Sequence, residues 1–502
     1  MKPWPKTTEP QHARPIVGQI AGAYAARSPF SVALFFVVVF VLALAYSIAS
    51  HLPELWRVLS YKAGSVAFFC CVLGLIVVRV RSSAKVDAGN RVALHPDTTW
   101  ITLCGFVSAD AYFTMQSRYA IGFASVLWLA VLGARVWRKN YRLPMAIAVI
   151  AMVSVTAQLA YFIAISPTSP GMDLIPITKA AIHYFVQGVD PYQADYRSVS
   201  LGPFFYLPLE WLSYLPFELL GINLHWVNFA CWVGIIVVFE RTLVAADDRV
   251  LPRLVFYPVI ASLPVLQAMD TEAPPMWLGE VCFMAALLRG RMVLASLLLG
   301  CLLATSQLML AVAGLSEAFF LRGLSIPRVT FYALLTAGTA LLLLGPFIVS
   351  SPNFLYTVFI ARPSIAISGW HSARNAYNSV GFNSLPLLLN AERARSILQL
   401  GVLAAGALFI LLWGSRSVAG FLYDAGIVFL CAIALNGQIW RYYYYGPLLM
   451  ISWGIAFSGT QRKITARRSI LVPSSATPPL ARGQRNGYWR RGGRGLYCAA
   501  WP

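Results

Sequence analysis

The sequence predicts an all-α, polytopic membrane protein, and three observations carry that expectation. Apolar residues fill 58% of the 502 positions and charged residues only 12%, against roughly 25% charged in soluble domains. Apolar runs of about 20 residues, the length that crosses about 30 Å of hydrocarbon, recur along the chain. Basic residues also cluster in alternate connecting segments. Arg79, Arg81, Lys85 and Arg91 form one cluster and Arg135, Arg138, Lys139 and Arg142 another, whereas 50–63 and 116–118 hold only Arg57, Lys62 and Arg118. By the positive-inside rule the two clusters face the cytoplasm.

The first 28 residues carry Lys2, Lys6, Arg14 and Arg27. They lack the short apolar stretch and small-residue cleavage site of a secretory signal, and read as a cytoplasmic tail. Spans are expected near 29–49, 64–80, 98–115, 119–136 and 143–165, which places the loop 166–200 on the outer face. A span near 223–240 returns inside to Arg241, Arg249 and Arg253, and an outward hairpin near 254–268 and 274–288 ends at Arg289 and Arg291. Residues 292–320 suffice only for a tight hairpin of short helices, which keeps Arg322 and Arg328 inside. The span 329–350 leads out to a second polar loop, 351–379, and spans near 396–413, 418–434 and 442–459 complete the series. Pro203, Pro208 and Pro216 break the stretch 203–220 into a re-entrant segment near the outer surface. The total is about 11–13 membrane helices. The chain divides into a cytoplasmic tail (1–28), one continuous apolar bundle without a sharp linker (its first four spans within 29–142, the rest within 143–459) and a basic tail (460–502).

Net charge is +20, and residues 461–502 hold nine Lys/Arg and no acid. That tail has the composition of a disordered segment; contact with anionic headgroups and no role at all both remain open for it. No folded soluble domain accompanies it, so nucleic acid is not an expected partner. The eight cysteines are scattered with no CxxC pair and read as small buried hydrophobes. No metal or cofactor is expected.

Polar residues concentrate in three outer segments: 166–200, 351–379 and 436–445. The first contains "GMDLIPITKAAIHYFVQGVDPYQADY", with Asp173, Asp190 and Asp195 among only 19 acidic residues in the chain. Within it Leu174, Ile177, Ala181 and Phe185 recur at helical spacing, with Lys179 and His183 on the other side. Pro176 falls in the first turn, where proline is tolerated, Gly188 ends the helix, and "DPY" makes a turn. A helix over 174–187 is too short to span and is expected to lie along the interface. Asp173 then sits at its N-terminus, as a cap or as a working carboxylate. Arg197, Arg362, Arg374 and Arg441 oppose the charge bias of outer segments. They suit phosphate, whose oxygens a guanidinium binds in pairs, or else pair with nearby aspartates or headgroups. Tyr192, Tyr206, Trp211 and Trp370 offer faces to a sugar, but aromatics populate membrane interfaces generally, and that is the plainer reading.

The pattern "MDLIPITKAAIHYFVQGVDPY", followed by "LGPFFYLPLEWLSYLPF", resembles the polyprenyl-phosphate-mannose-dependent alpha-mannosyltransferases of the GT-C class. Asp173, Ala180, Gly188, Pro191 and Tyr192 match the first motif; Tyr206 to Pro208 reads Tyr-Leu-Pro where that family shows Tyr-Pro-Pro. "NAYNSVGF" is similar to an Asn-rich outer-loop motif of the family, and the likeness in motif order covers 143–459. It implies a GT-C-like bundle with interfacial helices roofing an outward cavity, a polyprenyl-phosphate sugar donor, a lipid-linked or cell-envelope glycan acceptor, and Asp173 as base. It also implies residence in the plasma (inner) membrane with the active site on the outer face.

Chemistry supplies a matching role for each residue type. Inverting sugar transfer needs a base for the acceptor's proton. A lipid phosphate already leaves well and needs only cations to hold its charge. Lys179, Arg197, Arg374 and Arg441 are candidate donors to phosphate, with His371, Asn378, Asp190 and Tyr192 as further substrate contacts. Membrane lipids are obligatory partners, since withdrawing a polyprenyl chain from the bilayer costs about 0.8 kcal/mol per CH₂. Two rivals remain. A polysaccharide polymerase or ligase would use similar substrates. A secondary transporter would use acids in apolar segments, here Asp110, Asp270, Glu272, Glu280 and Glu317.

Overall fold

A computed structural model describes residues 142–165, 174–199, 204–244, 250–262, 271, 273–361, 392–435 and 441–458. Helices dominate these residues, and no strand occurs among them, as an all-α chain requires. The five predicted N-terminal spans fall outside the described residues except the last, which is α1 (Arg142–Ile165).

The segment expected to lie along an interface follows as α2 (Leu174–Val186), then two short helices, α3 (Pro208–Leu212) and α4 (Leu215–Leu219). Pro208 and Pro216 each fall at the start of their helix, where the missing N–H is not needed. The prolines thus cut the stretch into two single turns. The bundle consists of α5 (Leu224–Leu243), α6 (Val250–Ser262), α7 (Pro274–Leu288), α8 (Met292–Leu303), α9 (Met309–Gly323) and α10 (Ile326–Ser350). After a turn at α11 (Phe354–Tyr356) it resumes with α12 (Glu392–Leu412), α13 (Val418–Ala434) and α14 (Tyr445–Phe457). The tight hairpin expected over 292–320 is α8 and α9.

Among the described residues two helices, α5 and α10, are long and apolar enough to cross a membrane. Helices α7, α8, α13 and α14 are apolar but only 12–17 residues long, about 18–26 Å at 1.5 Å per residue, short of the about 30 Å hydrocarbon layer. Of the expected spans that fall within the described residues, those at α5 and α10 thus have the length and apolarity to cross.

Packing centres on α13, α14 and α7. Helix α13 lies along α14, α7 touches α5, α8 and α14, and α6 bridges α14 to α1. The α13–α14 contact is backbone-close. A Cβ on Gly454 would meet the Tyr423 nitrogen at 2.6 Å, and one on Gly426 would meet Ile451 Cγ1 at 2.6 Å. Small residues allow this approach, and the gain is dispersion between well-fitted surfaces. Helix α10 contrasts with these: only 17% of its most apolar stretch is buried, so it presents an apolar flank outward.

Candidate functional site

Helix α2 buries Ile175, Ile177, Thr178, Ala181 and Ile182; of the predicted stripe Ile177 and Ala181 are buried, Leu174 is half-buried and Phe185, near the helix end, is exposed. It stops in a Schellman motif. Gly188 takes φ 77°, its N–H donates to the Phe185 carbonyl (3.0 Å), and the Val189 N–H donates to the Tyr184 carbonyl (2.9 Å). The left-handed φ is one glycine adopts without strain. The chain then turns on Asp190, whose Oδ1 accepts from the Tyr192 N–H (2.9 Å) while Oδ2 accepts from Gln193 Nε2 (2.8 Å). Asp190 is thereby engaged in shaping the "DPY" turn.

That turn delivers Tyr192 into an aromatic core under α2. Tyr192 packs edge-on to Phe354 (centroids 4.8 Å) and Phe347, Tyr196 stacks on Phe204 (5.2 Å), and Trp211 meets Phe185 and Phe347. The hydroxyls are satisfied inside this core. Tyr192 Oη donates to the Tyr206 carbonyl (2.8 Å), Tyr196 Oη to the Pro191 carbonyl (3.0 Å), and Tyr184 Oη to the Asp195 carbonyl (2.9 Å). Burial pushes the Tyr192 and Tyr196 phenols up from their ordinary value. Tyr192, Tyr206 and Trp211 are thus buried packing residues, where the plainer expectation was aromatics spread along a membrane interface; the ring of Tyr192 lies against other rings.

Hydrogen bonds fasten this segment to the bundle. The Leu209 N–H donates to the Ala304 carbonyl (3.0 Å) in the α8–α9 turn. Tyr214 Oη donates to Asn228 Oδ1 on α5, and Asn228 Nδ2 donates to the Thr271 carbonyl (2.8 Å). Residues 190–199 and 204–214, Thr271, the α8–α9 turn and Phe354 therefore meet at one end of the bundle.

The other end is different in kind. Glu240, near the end of α5, accepts from Arg253 Nε (2.8 Å) and Nη2 and from Tyr257 Oη of α6. Arg289 reaches Thr242, and Arg322 Nη1 donates to the Ile410 carbonyl (3.0 Å).

Among the predicted site residues, Lys179 Nζ lies 3.9 Å from Glu218 of α4. Arg197 lies 3.3 Å from Asp195, with 90% of its side chain exposed. Asp190 and Tyr192 adjoin, while Lys179 and Arg197 each lean on a local carboxylate. Arg441 opens a single 3-10 turn, Arg441–Tyr444, that leads into α14. Asp173, the residue before the first of α2, lies outside the described residues, as do Arg362, His371, Arg374 and Asn378. The sequence reading passed over Asn228, whose signal was available: a carboxamide inside an apolar run needs a partner. No group of three or more potential metal ligands occurs among the described residues.

No protein-family model matches the chain, and neither a curated protein nor a solved structure matches it.

Proposed function

We propose that the chain is a polytopic membrane glycosyltransferase that moves a sugar, mannose on the motif resemblance, from a polyprenyl-phosphate donor to a hydroxyl of a lipid-linked or cell-envelope glycan. The observation that carries this reading is the packing of the first predicted outer segment together with the Tyr-Leu-Pro stretch. The interfacial helix that follows Asp173, the "DPY" turn and the Tyr-Leu-Pro stretch form one hydrogen-bonded, aromatic-cored assembly, fixed to the α8–α9 turn and to α5. A rigid roof of this kind holds a base and a sugar phosphate in register, and positioning is a large part of what such catalysis needs.

In the proposed reaction Asp173 accepts the proton of the acceptor hydroxyl as its oxygen attacks C1 of the donor sugar. The C1–O bond to the lipid phosphate breaks with inversion, and the phosphate leaves with its electron pair. Lys179, Arg197, Arg374 and Arg441 supply the positive charge that the leaving phosphate needs. His371 and Asn378 contact donor or acceptor. Lys179 and Arg197 are suited to such use, because their carboxylate contacts are solvent-exposed and exposed pairs are worth only about 0–1 kcal/mol. The membrane is the inner one, with the N-terminus cytoplasmic and this end outermost.

The test incubates purified protein with polyprenyl-phosphate mannose and a membrane lipid extract. Transfer of the sugar to a new lipid is expected, and Asp173→Asn should lower it about 10²-fold or more with the protein still folded. Undiminished transfer in that variant rejects the base, and flux of an intact substrate across liposomes without bond cleavage rejects the transferase.

A further inference from the structure

Glu280 lies in the middle of α7 with 0% of its surface exposed, and neither of its carboxyl oxygens has a hydrogen-bond partner. It faces the first turn of α14, where a Cβ on Gly446 would come within 2.8 Å of Glu280 Oε2. The absence of a side chain at 446 is what lets the carboxyl rest against the α14 backbone. One turn nearer Pro274, Trp277 stacks on Tyr445 with ring centroids 4.3 Å apart, and both rings are buried.

The titratable groups on the helices packed against α7 are engaged elsewhere or carry no charge to offer. On α5, Glu240 is held by Arg253 and His225 bonds Asn223. On α13, Asp424 accepts from the Ser415 N–H, beside Tyr423 and therefore level with Gly454 rather than with Gly446. The remainder are Arg241, exposed at the far end of α5, the thiols Cys231, Cys301 and Cys431, and the phenol of Tyr445, whose ring lies on Trp277. A charged carboxylate buried without a cation or donor carries a penalty of several kcal/mol. With no exposed surface, the α7–α14 contact admits nothing larger than a proton unless the helices part.

We propose that Glu280 and Gly446 form a proton-binding site at the α7–α14 contact: the carboxyl carries a proton while the helices are packed, and its ionisation parts them. This does not depend on the transferase reading.

The test is an infrared difference spectrum, full-length wild type minus Glu280→Gln in detergent, titrated from neutral to alkaline pH. The C=O stretch of an undissociated acid is expected in the difference at neutral pH and should vanish on titration. At each pH where it vanishes, amide exchange over 274–288 and 445–457 should be faster in wild type than in Glu280→Gln. Carboxylate bands alone at neutral pH overturn the proposal, as does equal exchange in the two proteins throughout. Should Glu280→Gln not fold, Glu280→Asp serves, the acid band then being displaced rather than lost. Gly446→Ala is expected to lower Tm more in wild type than in Glu280→Ala, and an equal drop in both removes Gly446 from the site.

Discussion

The two ends of the bundle are built from different materials. One is closed by rings and neutral hydrogen bonds: Tyr192, Tyr196, Phe204 and Trp211 fill it, and main-chain carbonyls accept the buried hydroxyls. The other is laced by guanidinium groups, with Arg253 on Glu240 and Arg322 on the Ile410 carbonyl. Under the proposed function, an end that meets a lipid phosphate gains if its buried contacts are neutral and its cations lie nearer the surface, as those of the Lys179–Glu218 and Arg197–Asp195 pairs do. The other end spends its arginines on internal contacts.

The largest effect should come from emptying the ring-filled end. Trp211→Ala removes a fully buried indole, and truncations of this kind cost about 3–5 kcal/mol. Amide exchange should accelerate over 174–214 while the α5–α6 contact near Glu240 stays protected. Acceleration at both ends would show that they unfold together and would break the distinction. Next, Arg253→Ala should cost about 1.5–3 kcal/mol, the range for hydrogen bonds to a charged group, measured as a lowered denaturation midpoint. The loss should grow if Glu240 is kept and shrink in Glu240→Gln, since the first leaves a half-buried carboxylate without its cation.

The smallest effect sharpens the comparison through pH. Tyr192→Phe deletes the bond to the Tyr206 carbonyl and should cost about 1 kcal/mol. Burial holds the Tyr192 and Tyr196 phenols protonated. Their contribution is therefore complete below the ordinary tyrosine value of about 10 and declines as pH rises beyond it, since the unfolded chain ionises first. Thermal melts taken between neutral and strongly alkaline pH should fall less steeply in Tyr192→Phe than in wild type. Parallel curves would mean that the phenol is not the titrating group.

Much of the helical order was legible because it rests on local signals. Periodicity marked Ile177 and Ala181 on the buried face of α2, Gly188 marked its end, and Pro208 and Pro216 marked the break into α3 and α4. The turn at "DPY" was legible too, but the packing role of Tyr192 was not. An Asp two residues before a Tyr reads equally as a ligand or as a turn, and only the tertiary position of the Tyr206 carbonyl decides where the phenol goes. Lys179 and Arg197 were legible as cations, and the carboxylate each meets differs in legibility: Asp195 lies two residues from Arg197, whereas Glu218 reaches Lys179 only through the fold. Asp173, His371, Arg374 and Asn378 fall outside the described residues.

The bond from the Leu209 N–H to the Ala304 carbonyl has a bearing on biogenesis. Its partners stand about 95 positions apart, so at about 5–20 residues per second the ribosome needs roughly 5–20 seconds to supply the acceptor after the donor has emerged. Through that interval the aromatic segment is without its docking point on the α8–α9 turn. Slow synthesis across α5 to α8, or a stalled nascent chain, would leave it undocked.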